Sequence, residues 1–209
     1  MGIDSLGYVG FNVSSCDEWR PLLEKVFGLE PRTREGSNGI YYRLDDYHHR
    51  VTIYPAAEDS VAMVGWEVGS SERLDALAGE LRSRGVTVEP GTDDLCDERK
   101  VKQIYVYTCP MIGVRTEIYY GPLVSNTPFN PQRGISGFKT GTLGLGHIAF
   151  WVKDLPATLD FYREVMGFDI SDYIAWDDND AVFLHCNPRH HTLALMAEAP
   201  GRPGGRIQH

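Results

Sequence analysis

The sequence predicts an α+β fold of repeated βαβββ modules, set in two domains with the last module incomplete. Three observations carry this. The segment Leu6-Gly7-Tyr8-Val9-Gly10-Phe11-Asn12-Val13 recurs as Leu145-Gly146-His147-Ile148-Ala149-Phe150-Trp151-Val152, 139 residues later. Each copy is followed by a polar break, an amphipathic helical pattern and short β-rich runs. The two halves are separated by Gly121–Gly141, which holds four glycines, three prolines and no periodicity. The expected division is residues 1–121, two modules without catalytic residues; 122–141, a linker; and 142–209, the catalytic part.

The opening run, Leu6–Val13, is short, β-rich and bounded by turn residues, so it reads as a strand. Asp17 is the expected cap of the next helix, which should pack Trp19, Leu22, Leu23, Val26 and Phe27 on one face. In the second half Asp154 caps, Pro156 suits the first turn, and Leu159, Tyr162, Val165 and Met166 form the face. Gly28 and Gly167 are the expected left-handed stops. The 139-residue offset holds without a gap from Tyr8/His147 to Gly28/Gly167. Strands are expected at Gly39–Leu44, Arg50–Tyr54 and Val61–Val68, and again at Tyr173–Trp176, Ala181–Cys186 and Thr192–Met196. Asp45-Asp46-Tyr47 and Asp177-Asp178-Asn179 read as the turns between them. Another copy opens at Val64–Val68, with Ser71 capping a helix to Arg84 that stops at Gly85. Its strands are Val86–Val88, Gln103–Thr108 and Arg115–Tyr119. A fourth copy begins at Arg206-Ile207-Gln208-His209. With that module incomplete, Ile148, Phe150, Phe183 and Leu193 are expected to be partly uncovered at an unpaired sheet edge.

Composition excludes several classes. No run approaches the roughly 18 apolar residues of a membrane span. The start shows neither a basic nor an apolar leader pattern, and the cytoplasm is the expected compartment. Twenty basic against 29 acidic residues give a formal charge of −9 without a basic stripe, which argues against nucleic-acid binding. Cys16, Cys96, Cys109 and Cys186 form no CxxC pair, so reduced thiols are expected rather than a disulfide framework.

Chemistry concentrates on histidine. His147 stands mid-strand where the first half carries Tyr8, so one copy is specialised and the other structural. His209 opens the corresponding strand of the fourth module. First strands of paired modules face one cup, and two neutral imidazoles converging there begin a divalent metal site. His190-His191 precede a strand, and alternation lets only one of them enter the cup. His48-His49 lack a histidine on the first strand of their half, so packing at the sheet edge is their expected task.

The segments Tyr42–Arg50, Gly65-Trp66-Glu67-Val68, Thr116–Pro122, Gly144-Leu145-Gly146-His147, Phe183–Thr192 (with its Asn-Pro-Arg-His-His run) and Ile207-Gln208-His209 carry a resemblance. With Leu6–Val9, they resemble the type I extradiol ring-cleavage dioxygenases of the vicinal oxygen chelate superfamily, above all the two-domain 2,3-dihydroxybiphenyl 1,2-dioxygenase group, over essentially the whole chain. The resemblance implies that His147 and His209 are two of three ligands to a non-haem Fe(II), with Mn(II) as the alternative metal. It implies that His191 is the catalytic acid/base, and that Ala149 and Phe183 line the substrate pocket. The implied partners are a catecholic aromatic and O2, and copies of the chain in a homo-oligomer. The implied third ligand, a glutamate, falls beyond residue 209, and Glu198 is a poor substitute at the edge of a Gly/Pro loop. The chain is therefore expected to be part of a longer protein. Two other readings compete. One is a glyoxalase-like isomerase or thiol transferase, against which the Asn-Pro-Arg-His-His run argues. The other is a metal-poor aromatic-binding protein or inactive fragment of the same fold.

Overall fold

The computed structural model describes residues 2–176 and 179–208, so the predicted turn at Asp177-Asp178 and the predicted ligand His209 lie outside the described residues. Thirteen strands form two sheets among the described residues. The first contains β1 (Ser5–Val13), β2 (Glu30–Arg32), β3 (Ile40–Arg43), β4 (Val51–Pro55), β5 (Ser60–Glu67), β6 (Glu89–Pro90), β7 (Val101–Thr108) and β8 (Arg115–Pro122), in the order β2-β3-β4-β1-β5-β8-β7-β6. The second contains β9 (Ile148–Val152), β10 (Asp169–Trp176), β11 (Asn179–His185), β12 (Leu193–Ala197) and β13 (Arg206–Ile207), in the order β10-β11-β12-β9-β13. The helices are α1 (Cys16–Pro21), α2 (Ser71–Ser83), α3 (Asp93–Arg99) and α4 (Leu155–Glu164).

Pairing defines the modules. β1 is parallel to β4 and antiparallel to β5, and β5 is parallel to β8. In the second sheet β9 is parallel to β12 and antiparallel to β13. β13 thus takes beside β9 the place that β5 takes beside β1, as the start of a fourth module requires. The sequence reading gave Val61–Val68 to the end of the first module as well as to the start of the next. The structure corrects this: β5 only opens the second module, and β2 supplies the missing strand of the first. Three residues, two charged and one proline, give no alternation by which β2 could be seen.

The first helix also departs from expectation. Ser15, not Asp17, is its cap, accepting the Glu18 N–H at 3.3 Å. After Pro21, the turns widen through Leu22–Phe27 and end with the Gly28 N–H on the Leu23 carbonyl. The wider turn rotates the face. Only Leu23 is buried, while Leu22, Val26 and Phe27 are 40%, 52% and 51% exposed. Similarly Ser70, not Ser71, caps α2. Asp154 caps α4 as expected, and Gly28 and Gly167 take φ of +81° and +77°.

One apolar core joins the two sheets. Trp66 meets Phe168 edge-on at 5.3 Å, and the Tyr107 hydroxyl donates to Met166 Sδ at 3.4 Å. Leu74, Leu77 and Leu81 of α2 and Tyr162 of α4 pack into the same cluster. Ile148, Phe150 and Leu193 belong to it and are buried, contrary to the expected exposure; only Phe183 is partly uncovered. These residues point toward the helices and the first half, so an open sheet edge does not uncover them. In the second sheet the exposed large apolar side chains are instead Tyr173, Ile174 and Trp176 on β10. No helix among the described residues is long and apolar enough to cross a membrane.

Candidate active site

The opposite face of each sheet forms a cup, and the two cups are filled differently. In the first, Tyr8, Met63, Ile104 and Tyr119 pack together, with Leu95 and Cys96 of α3 against them. In the second the corresponding cluster is Ala149, Trp151, Ala181, Ala194 and Met196, with Phe183 beside it. In the first cup Met63, Ile104 and Tyr119 come from β5, β7 and β8 of the second module, whose counterparts fall in the fourth module, while the wall built by β9, β11 and β12 in the second half carries three alanines. The result is a cavity of about 420 Å³ bounded by Ala149, Trp151, Trp176, Phe183 and Met196, among others.

His147 stands immediately before β9, two residues from Ala149 and therefore on the same face. His191 stands two residues before β12. The Ile148 N–H donates to the Thr192 carbonyl at 3.1 Å, tying the residues that follow both histidines. The two rings accordingly lie 4.3 Å apart between centroids, tilted by 49°. Phe183 meets His191 edge-on at 5.0 Å. Predicted residues His147 and His191 thus meet each other and Phe183, and Phe183 and Ala149 line the cavity. The described part of the fourth module arrives there too: the Gln208 N–H donates to the Ala149 carbonyl at 2.7 Å.

The Asn-Pro-Arg-His-His run has a structural explanation that the sequence did not show. The Asn187 side chain donates to the Asp4 carbonyl at 2.9 Å, and its own oxygen accepts the Arg189 N–H at 3.0 Å. Arg189 reaches the Gly144 carbonyl at 3.4 Å. Asn187 also donates to the Leu143 carbonyl at 3.4 Å, so both side chains pin the histidine turn to the loop that leads into His147, and Asn187 ties it to the first residues of the chain as well. His190 stands perpendicular to His191, with the two Nδ1 atoms 3.1 Å apart, and its outer face turns toward Asp172 at 4.0 Å. His185 points into the turn, with Nδ1 3.1 Å from the Asn187 carbonyl. Glu198 follows β12 at the end of β9 away from His147, and accepts the Gly204 N–H at 3.0 Å. It is turned into its own loop and away from the histidines.

The first half repeats this arrangement with other side chains. His48 and His49 stand perpendicular with Nδ1 atoms 3.0 Å apart, as His190 and His191 do. Tyr8 takes the place of His147, 6.3 Å from the His49 ring. Opposite Tyr8 on β5 is Gly65, where any Cβ would fall within 2.3 Å of the tyrosine ring. Tyr8 Oη donates to Glu117 at 2.6 Å, and Arg99 from the end of α3 donates to the same carboxylate at 2.7 and 3.2 Å. A guanidinium therefore supplies the positive charge in the first cup. Burial, followed by the Glu117 charge, pushes the Tyr8 hydroxyl pKa far up, so it stays a donor.

This network gives a stability prediction. Burial raises the Glu117 pKa, but the Arg99 charge and the bonds from Arg99 and Tyr8 outweigh it and hold the carboxyl below its usual value. The unfolded chain then takes up a proton at higher pH than the folded chain. The stabilisation is complete above the ordinary glutamate range and is lost as pH falls from that range through the lower folded-state value. Breaking a buried pair by removing one partner costs about 3–5 kcal/mol. Arg99→Met should lower stability on that scale in urea unfolding, and Arg99→Met with Glu117→Gln should recover much of it. A loss in the double variant equal to the sum of the two single losses would show that the pair is not coupled.

A larger cleft of about 760 Å³, near Arg84, Arg115 and Phe161, lies away from these histidines. Its two arginines are engaged by Glu80, Glu164 and Glu117.

Comparison with known proteins agrees with the geometry. Residues 144–209 match the family described as the glyoxalase/bleomycin resistance protein/dioxygenase superfamily, and residues 6–55 match dihydroxybiphenyl dioxygenase BphC D1. The biphenyl-2,3-diol 1,2-dioxygenase of Paraburkholderia xenovorans (strain LB400) is 39% identical over 94% of this chain and 67% of its own length. An iron-dependent extradiol dioxygenase of Rhodococcus jostii (strain RHA1) is 29% identical over 94% of this chain and 68% of its own length. The crystal structure of BphC, a halotolerant catechol dioxygenase, superposes with a TM-score of 0.90 at 33% identity, covering 94% of this chain and 65% of that one. The chain spans about two thirds of the length of these relatives. Two modules closed on themselves, a third whose histidines meet beside Phe183 of an aromatic cavity, and these matches place the chain in the extradiol dioxygenase family of the vicinal oxygen chelate superfamily.

Proposed function

We propose that the second half is the catalytic centre of an Fe(II)-dependent dioxygenase that opens the ring of an aryl catechol, such as 2,3-dihydroxybiphenyl, next to its hydroxyls with O2. The observation that carries this is the meeting of His147 and His191 beside Phe183, which lines an aromatic cavity, where the first half has Tyr8 packed against Met63 and Tyr119.

The donor chemistry fits the metal. Imidazole suits Fe(II) and also Mn(II). His147 and His209 would hold the ion, with a carboxylate from beyond residue 209 as third ligand. When bound, the ion lowers the pKa of the catechol hydroxyls and brings the ring and O2 into one coordination sphere. The protein's own part is positional and acid–base. Ala149 leaves room for the ring beside His147, and Phe183 packs on the edge of His191 and fixes its plane. With Nδ1 turned toward His190, His191 takes the substrate proton at Nε2 and returns it to the opening product. Trp151, Phe183 and Met196 exclude water from the far side of the ring.

Metal analysis tests this against a metal-poor aromatic-binding protein. Protein extended past residue 209 by the stretch that its relatives carry, purified anaerobically, should hold iron near one atom per chain. Aromatic binding without retained iron or manganese would support the binder.

A further inference from the structure

The cavity is apolar and aromatic along most of its wall, yet one charge borders it. Arg202 is the single charged residue among the described residues that line it. Its guanidinium lies over the Trp151 ring, 4.9 Å from the centroid. The loop that carries it is fixed. Arg202 and Ala199 exchange backbone hydrogen bonds at 2.8 and 3.2 Å, and the Gly205 N–H donates to the Trp151 carbonyl at 2.7 Å. Glu198, the carboxylate of the same loop, is occupied by the Gly204 N–H. Among the described residues no carboxylate lies within ion-pair distance of Arg202. A cation is thus held at the cavity wall without an anionic partner among the described residues, in a chain whose formal charge is −9.

Its distance from the histidines sets what it can read. Trp151 lies four residues beyond His147 on the same strand face, a span of roughly 13 Å at the strand rise. A single catechol ring seated at His147 falls short of that; two linked rings with a substituent on the second reach it. Resting on the catalytic reading above, we propose that Arg202 is a specificity-determining residue, and that the preferred substrates are aryl catechols whose distal ring carries an anionic group such as a carboxylate. The guanidinium, held flat by Trp151, presents its N–H edge to both carboxylate oxygens.

The test is binding rather than turnover. The chain without metal is titrated anaerobically, by calorimetry, with 2,3-dihydroxybiphenyl and with the same diol bearing a carboxylate at the 4′ position. The carboxylate should bind about tenfold more tightly, the usual scale for one charge-assisted contact. Arg202→Gln should bring the ratio of the two affinities close to one, and Arg202→Lys should keep part of it. Equal affinities in the wild type, or a ratio unchanged in Arg202→Gln, would overturn the role of Arg202 and leave the aromatic cavity standing. Failure of both diols to bind would overturn the cavity as the substrate site, and the proposal with it.

Discussion

His147→Ala, in protein extended past residue 209, is expected to lose its metal and with it all ring cleavage. A divalent ion left with fewer protein ligands exchanges readily, and Glu198, turned into its own loop, does not take the place of the lost imidazole. The internal control is the equivalent residue of the first half. Tyr8 is 3% exposed and donates to Glu117. Tyr8→Ala removes a buried aromatic ring and should cost about 3–5 kcal/mol of stability. Tyr8→Phe removes only the hydroxyl bond and should cost about 1–3 kcal/mol by leaving Glu117 a donor short. Neither change should alter metal content in the folded protein. Metal measured by mass spectrometry on anaerobically loaded protein separates the cases. Equal metal loss in the His147 and Tyr8 variants would contradict the specialisation of the second half.

His191→Gln should show a different signature. The iron and the catechol stay bound, because His147 and the aromatic residues of the cavity wall remain in place, while turnover falls by roughly 10²–10⁴-fold, as for loss of a positioned acid–base group. The deficit should lie in kcat, with little change in KM. His190→Gln should do less, since His190 faces outward toward Asp172 and touches the cavity only through His191 and Phe183. Unchanged turnover in His191→Gln, or iron loss like that of His147→Ala, would show that His191 serves another purpose.

The repeat made the frame of this molecule legible. The offset between Tyr8 and His147 located β9 and α4 from β1 and α1, and it singled out His147 because only one copy carries the imidazole. The glycine stops at Gly28 and Gly167 were readable for the same reason: both need a left-handed φ. What escaped were elements without periodicity. α3 is mostly charged, with Leu95 and Cys96 turned to the first cup, so no amphipathic pattern announced it. β2 is too short for alternation. The face of α1 rotates after Pro21, because the turns widen in response to packing that a helical wheel does not contain. The site was legible as residue types but not as support. The roles of Asn187 and Arg189 depend on Asp4 and Gly144, which are close only in the folded chain. The closure of the first cup depends likewise on Arg99, Glu117, Tyr8 and Gly65 from four separate elements.

The most direct test of the central claim is the appearance of yellow ring-opened product from 2,3-dihydroxybiphenyl. Protein is loaded anaerobically with Fe(II) and then given oxygen, as the 209-residue chain, as the chain extended by the stretch that its relatives carry, and as the extended chain with His147→Ala. The account predicts product from the extended chain alone. Product that persists after His147→Ala would contradict the metal centre proposed here, and robust product from the 209-residue chain would place the third ligand within it.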